Sequence, residues 1–408
     1  MIKLNVWLTL DETATLRVGE LIAADPDAQK GGAIQGQFRY TNEYLNWPKA
    51  FPLDPIHLPL AQTIFDANRP RSGIHGVFED SLPDDWGRKI LVRKYNIPRN
   101  EQRPPQLLRC LAGDGMGALS YSEDDLPPKK KEPLGSHFLE VLKHWAEQFE
   151  KDATVVGDEL ALLFQAGSSP GGARPKALIQ DGGKPYIAKF RSIKDQFDVV
   201  SLEAATMALA VVAGVDVAPS RHVYCGGQKV LLVERFDVQP QEMRRNHVVT
   251  LQTLLGADDY YHLGYRDLAG IVRKVSMNPG DDLRKLFKQL LFNVLIGNTD
   301  DHLKNFSMTC DGASWRLSPA YDLVPNVGQN REHVLSINHS FMVPDRSALL
   351  QEAKYFGIKQ QRKANEIIES MVLKVSGWEK TFHKFDVPHE DMEIIGRDIE
   401  GRLAKMCS

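Results

Sequence analysis

The chain has 408 residues, enough for two or three domains whose cores need neither metal nor disulfide to hold them. Its 42% hydrophobic and 25% charged residues are ordinary for a globular protein, and a net charge of −3 gives no global pull towards nucleic acid or an anionic membrane surface. Four cysteines (Cys110, Cys225, Cys310 and Cys407) stand far apart without a CxxC pair, which argues against zinc-site spacing and a dense disulfide framework. The amino-terminal segment meets acidic residues too soon for the apolar core of a signal peptide, and no run approaches the roughly 20 apolar residues of a membrane span. A reduced, cytoplasmic protein without membrane contact is expected.

Residues 1 to about 125 carry strand and turn signals: LNVWLTL and GQFRYT alternate, and FPLDPIHLPL is a proline-punctuated extended stretch. EDDLPPKKKEPLG, residues 123–135, has the composition of a solvated linker. FLEVLKHWAEQF has helical periodicity. ALIQ-DGGK-PYIAKF then predicts a hairpin, SLEAATMALAVVAG a helix stopped at Gly214, and RHVYC-GGQ-KVLLVERF a second hairpin. Over 281–296, Leu283, Leu286, Phe287, Leu290, Leu291, Val294 and Leu295 recur at helical spacing, with Asp281 or Asp282 as the expected cap and Gly297 as the stop. Residues 389–406 predict a last amphipathic helix. The expected division is 1–130, 131–237 and 238–408.

The helix 281–296 runs directly into Asn298-Thr299-Asp300-Asp301-His302-Leu303-Lys304-Asn305. Asp300 and Asn305 have the D-x-x-x-x-N spacing of a kinase catalytic loop, where the Asp accepts the proton of the substrate hydroxyl and the Asn helps hold Mg²⁺. Alone, that spacing is common. Chain order adds to it: after Asn305 comes a hairpin pattern turning at Asp311-Gly312, then Ala320-Tyr321-Asp322-Leu323, which puts Asp322 where kinases carry their metal-binding Asp. Two oxygen ligands plus phosphates suit Mg²⁺. Upstream, Lys189 in PYIAKF and Glu203 in the following helix have the order of the phosphate-binding lysine and its glutamate ion-pair partner. Ala166 to Lys176 is rich in small residues whose N–H groups can approach phosphate, with Arg174 and Lys176 adding charge. Ala173 after Gly172 breaks the Walker A pattern, which disfavours an ordinary P-loop ATPase. Gly113 to Gly117 fits no phosphate motif and is expected to be a turn.

Ser169-Pro-Gly-Gly-Ala-Arg-Pro-Lys176, the VERFD of 233–237, NTDDHLKNFS and LSPAYDLVP together resemble the HipA family of serine/threonine kinases, whose best-known members are toxins of bacterial type II toxin–antitoxin systems. The segments LPL and SLPDDWGRKIL resemble that family's amino-terminal subdomain. The resemblance implies an α+β fold, protein-kinase-like and bilobal, with a β-rich amino-terminal subdomain and a mainly helical carboxy-terminal lobe. It implies Asp300 as catalytic base, Asn305 and Asp322 as Mg²⁺ ligands, and Lys189 as a phosphate contact. Gly171, Gly172, Ala173, Arg174, Pro175 and Lys176 would form the loop over ATP, and Glu234 and Phe236 would lie at the adenine-binding hinge. His302 matches a histidine of the family's catalytic loop, counted with the ATP-binding residues. Ser169 is the implied site of autophosphorylation, with Ser168 beside it.

The partners implied are a HipB-like helix-turn-helix antitoxin, operator DNA only through that antitoxin, and a protein substrate of the aminoacyl-tRNA synthetase kind, whose modification would arrest translation and favour dormancy or persistence. Two other readings stay open on the residues alone. Asp-x-His-x-x-Asn at 300–305 also fits a lipid or small-molecule kinase, and a catalytically silent co-repressor that docks an antitoxin would share the fold.

Overall fold

The alternating segment at the amino terminus becomes strand Ile2–Asp11, inside a five-stranded antiparallel sheet ordered Phe65–Asp66, Gly36–Tyr40, Ala14–Ala23, Ile2–Asp11, Leu119–Ser122. Leu4, Val6 and Leu8 recur at the two-residue period of a strand and are fully buried, which fixes the register. The structure is a computed structural model, and it describes residues 1–11, 14–67, 72–113, 115–129, 133–151, 157–167, 172–239, 244–258, 262–328 and 331–407. The chain forms two compact units: Met1–Ile193 with Glu234–Asp258 and Thr309–Ser314, and Lys194–Val233 with Asp259–Met308 and Trp315–Ser408.

The first unit is not purely β and turn. Helices Asp85–Lys94 and Pro104–Leu111 pack in its amino-terminal part, and Leu139–Glu150 and Gly157–Gly167 follow. The stretch FPLDPIHLPL, expected to be extended, instead coils about Asp54. The buried Asp54 carboxylate accepts from the N–H groups of Ile56 (2.8 Å) and His57 (3.0 Å) and from His57 Nδ1 (2.8 Å). Three prolines deny that stretch the donors a strand ladder needs. The hairpin Lys176–Asp181 and Lys184–Lys189 forms as expected: Gly182 (φ 55°) and Gly183 (φ 78°) supply the left-handed pair of a two-residue turn. Leu134–Gly135, at the end of the expected linker, adds a short parallel strand to Lys176–Asp181.

Two histidines of this unit are buried and neutral. Burial pushes both His75 and His247 down to about 4, although the Leu53 carbonyl beside His247 and the Asp54 charge near both oppose the shift. Unfolded, each titrates near 6.5, so between these values the unfolded chain binds more protons and stability falls as the pH drops. The loss begins below about pH 6.5, is complete below about pH 4, and amounts to roughly 3 kcal/mol per histidine. Urea unfolding midpoints should therefore be clearly lower at pH 5 than at pH 7.5, with a smaller pH slope in His247→Gln. Midpoints independent of pH over this range would count against the buried-histidine account.

The second unit is mainly helical. Its centre is Pro279–Ile296, whose inward residues from Leu286 to Ile296 are almost wholly buried against helices Tyr265–Val275, Gln361–Val375 and His389–Cys407. The helix begins one turn earlier than the expected Asp caps. Asn278 caps it, accepting from Asp281 N–H at 3.4 Å, and Pro279 occupies the first turn where its missing N–H costs nothing. Asp282 is buried and serves Arg316 (2.9 Å), Ser276 (2.6 Å) and the N–H of Leu317 (3.0 Å). Among the described residues, no helix is long and apolar enough to cross a membrane.

Candidate functional site

Helix Pro279–Ile296 ends at Gly297 (φ 73°), and the polar segment expected to carry chemistry starts there. A Cβ at 297 would stand 2.5 Å from Asp398 Oδ2 and 3.2 Å from Arg402 Nε, so a side chain there would crowd this ion pair as well as strain the left-handed backbone. Arg402 is buried; its Nη1 donates to the Val294 carbonyl (3.0 Å) and to His333 Nε2 (3.2 Å), and its Nε to Asp398 (2.7 Å). Burial draws its pKa below the ordinary value, with Asp398 opposing the shift.

The two adjacent aspartates have opposite surroundings. Asp301 is buried, and its carboxylate accepts from Tyr265 OH (2.8 Å), His333 Nδ1 (2.9 Å) and the N–H of Val334 (2.9 Å). Burial and the Asp301 charge push the Tyr265 phenol well above its ordinary value, which keeps it a donor. With Nδ1–H given to Asp301, His333 Nε2 is the acceptor for Arg402, so the chain Arg402–His333–Asp301 fixes one tautomer. Asp300, one residue earlier, is exposed. Asp301 thus anchors the turn from inside and leaves Asp300 facing solvent.

Asn305 closes the turn. Its N–H donates to the His302 carbonyl (2.9 Å) at the end of the short 3₁₀ turn Leu303–Asn305, and its Nδ2 donates to the Asp300 carbonyl (3.0 Å). That bond uses the amide N–H and leaves the oxygen, the end a cation takes. Asp322 is held alongside through its neighbour: Tyr321 OH donates to the Lys304 carbonyl (2.7 Å) and meets Ser307 Oγ at 2.8 Å. Asp322 itself has φ 58°, a left-handed conformation that costs a non-glycine residue about 1–2 kcal/mol and persists where surrounding contacts hold it. An amide oxygen and a carboxylate are the hard donors Mg²⁺ takes, with water and phosphate filling its other positions. No group of three or more His, Cys, Asp and Glu among the described residues is arranged to hold a metal by itself. His302 is half-buried, and Glu203 is buried in helix Val199–Ala213.

The other expected site residues lie in the first unit. Lys176 and Lys189 are direct cross-strand partners in the hairpin, so both ammonium groups rise on one face. Gly172 (φ 104°) donates its N–H to Asp84 Oδ2 (2.9 Å), and a Cβ there would meet Lys176 Nζ at 2.7 Å. Ala173 and Arg174 are exposed and Pro175 is buried. Ser168, Ser169 and Gly171 lie outside the described residues. Glu234 pairs with Lys184 (2.9 Å), and Phe236 is half-buried. Between them, buried Arg235 grips Asp237 by two bonds of 2.9 and 2.6 Å, and Asp237 also accepts the N–H of Gly117 (2.8 Å). Burial alone would raise the Asp237 carboxyl, but the Arg235 charge and bonds outweigh it and hold the group below its usual value. The VERFD pattern is therefore partly structural, and it ties down Gly117, the last residue of the turn expected at Gly113 to Gly117, of which Asp114 lies outside the described residues.

Asp301, Tyr265, His333, Arg402 and Asp84 escaped the sequence reading. The available signal was two adjacent aspartates after a buried helix, of which one had to turn inward.

A sequence profile described as the HipA-like C-terminal domain matches residues 168–378, and one described as the HipA N-terminal domain matches residues 12–122. The serine/threonine-protein kinase toxin HipA of Shewanella oneidensis is 27% identical over 313 residues, covering 68% of each chain. Y4mE of Sinorhizobium fredii is 28% identical over 327 residues, covering 72% of this chain and 76% of its own. Among solved structures, Shewanella oneidensis HipA, in a complex with HipB and operator DNA, superposes with a TM-score of 0.71 at 21% identity, covering 98% of this chain and 96% of its own. The α+β fold class expected from the sequence is that of this neighbour. With its carboxy-terminal profile spanning more than half of the chain and the amino-terminal one preceding it, this protein belongs to the HipA family of kinases.

Proposed function

We propose that the chain is an ATP- and Mg²⁺-dependent serine/threonine protein kinase with Asp300 as its general base. The observation that carries this reading is the bond from Asn305 Nδ2 to the Asp300 carbonyl, in a turn anchored from inside by Asp301. It sets a solvent-facing carboxylate and an amide oxygen at fixed spacing, and Tyr321 brings the Asp322 segment against the same turn. Asp300 would accept the proton of the attacking hydroxyl, while Asn305 and Asp322 hold Mg²⁺. When bound, that ion offsets charge on the phosphates. Lys189 and the Gly171–Lys176 loop would hold the phosphates, Glu234, Phe236 and His302 would complete the nucleotide site, and Glu203 would pair with the lysine. Incubation with labelled ATP should give Mg²⁺-dependent label in protein and none in lipid. Label in lipid or a small molecule would favour the other acceptor class, and no transfer at all would leave the fold serving as a docking module.

The same proposal extends to Ser169. A phosphate there adds about −1.5 to −2 charge to a loop that binds phosphates and should drive the loop out. Mass spectrometry after incubation with Mg-ATP should find the phosphate on Ser169; phosphate only elsewhere, or nowhere, would refute this. A toxin role, a HipB-like antitoxin contacting operator DNA, and a synthetase-type substrate complete the reading. The solved HipA–HipB–operator complex of the Shewanella relative supports the partner.

A further inference from the structure

Asp84 stands at the N-cap position of helix Asp85–Lys94, where an aspartate ordinarily accepts from N–H groups of its own first turn. It makes no such bond. Its carboxylate accepts the N–H of Gly172 instead, 88 residues along the chain. The same helix holds both flanks of that loop. Trp86 Nε1 donates to the carbonyl of Lys176 at 3.2 Å, where the loop becomes strand Lys176–Asp181. Tyr95 meets Phe164 edge-on at 5.5 Å, and Lys94 Nζ lies 3.8 Å from the centre of the Phe164 ring, on the helix Gly157–Gly167 that precedes the loop.

Helix Asp85–Lys94 thus grips the chain before, within and after a glycine-rich stretch. Such a stretch loses the most conformational freedom when ordered, on the order of 1–2 kcal/mol per residue. A tether that orders it in advance removes that cost from ligand binding. We infer that Asp84 is a positioning residue for the Gly172–Lys176 loop: its carboxylate fixes the Gly172 peptide, whose α-carbon packs against the Lys176 ammonium. The inference rests on the reading that this loop takes the phosphates of ATP. Asp84 touches no ligand in this account; it acts through the loop.

The test uses the full chain and three ligands: Mg-ATP, Mg-ADP and adenosine. Asp84→Ala should weaken Mg-ATP about tenfold and Mg-ADP similarly, leave adenosine affinity unaltered, and raise KM for ATP far more than it lowers kcat. Asp84→Asn keeps an acceptor at this position and should recover most of the affinity. A general loss of structure would weaken all three ligands alike, overturning the inference. Equal Mg-ATP affinity in wild type and Asp84→Ala would overturn it alone, whereas no Mg-ATP binding by the unaltered protein would overturn the kinase reading with it. Hydrogen exchange needs no variant: the Gly172 amide should be protected without nucleotide, and an unprotected amide there would also overturn the tether.

Discussion

Asp300→Ala should lower phosphate transfer by about 10²–10⁴-fold while the protein stays folded and still binds Mg-ATP. The three parts of this expectation come from separate features of the turn. Asp300 is exposed, and surface substitutions of this kind usually change stability by about 0.5 kcal/mol or less. The bond that orients Asn305 goes to the Asp300 main-chain carbonyl, which alanine keeps, so the amide proposed for the metal stays in place. Only the carboxylate that would receive the hydroxyl proton is lost. Single-turnover transfer, Mg-ATP titration and thermal unfolding separate these quantities. A folded Asp300→Ala protein with unaltered turnover would exclude the residue as base. Weakened Mg-ATP binding would instead mean that the carboxylate, rather than the main chain, organises the metal site.

Features governed by local rules were legible in the sequence. The Gly182-Gly183 and Gly226-Gly227 pairs announce turns because both positions need positive φ, and both have it. The apolar repeat through Leu283 to Leu295 announces the central helix because burial follows its 3.6-residue period. Features decided by distant partners were not legible. Asp282 looked like a cap, yet Arg316 lies 34 residues ahead and draws it into a buried pair. Asp84 and Gly172 carry no mark that they meet. The spacing Asp300 to Asn305 could be read, but not which of two adjacent aspartates would face inward, because Tyr265 and His333 are 36 and 32 residues from Asp301. Sequence therefore offered the candidate groups, and tertiary contacts decide that Asp301 turns inward to brace the loop while Asp300 stays exposed.

Asp301→Ala should have the opposite character, with a large loss of stability and inactivity that follows from it. The buried Asp301 carboxylate is the common acceptor for a buried phenol, a buried imidazole N–H and the part-buried N–H of Val334. Removing it leaves those donors without their acceptor and takes away a charge that offsets the buried Arg402 guanidinium. Breaking one member of such a buried charged network costs about 3–5 kcal/mol, a large share of the roughly 5–15 kcal/mol that holds a domain together. Urea unfolding should show it as a much lower midpoint, against a near-wild-type midpoint for Asp300→Ala. The source of the loss can be isolated with Arg402→Met, which removes the cation at the far end of the Arg402–His333–Asp301 chain. If the network acts as a unit, Arg402→Met should cost markedly less in the Asp301→Ala background than in wild type, a coupling of about 1–3 kcal/mol. Additive effects, or an Asp301→Ala protein within about 1 kcal/mol of wild type, would show that the turn is held by its backbone and the close approach at Gly297. In that case the exposed position of Asp300 would need another cause.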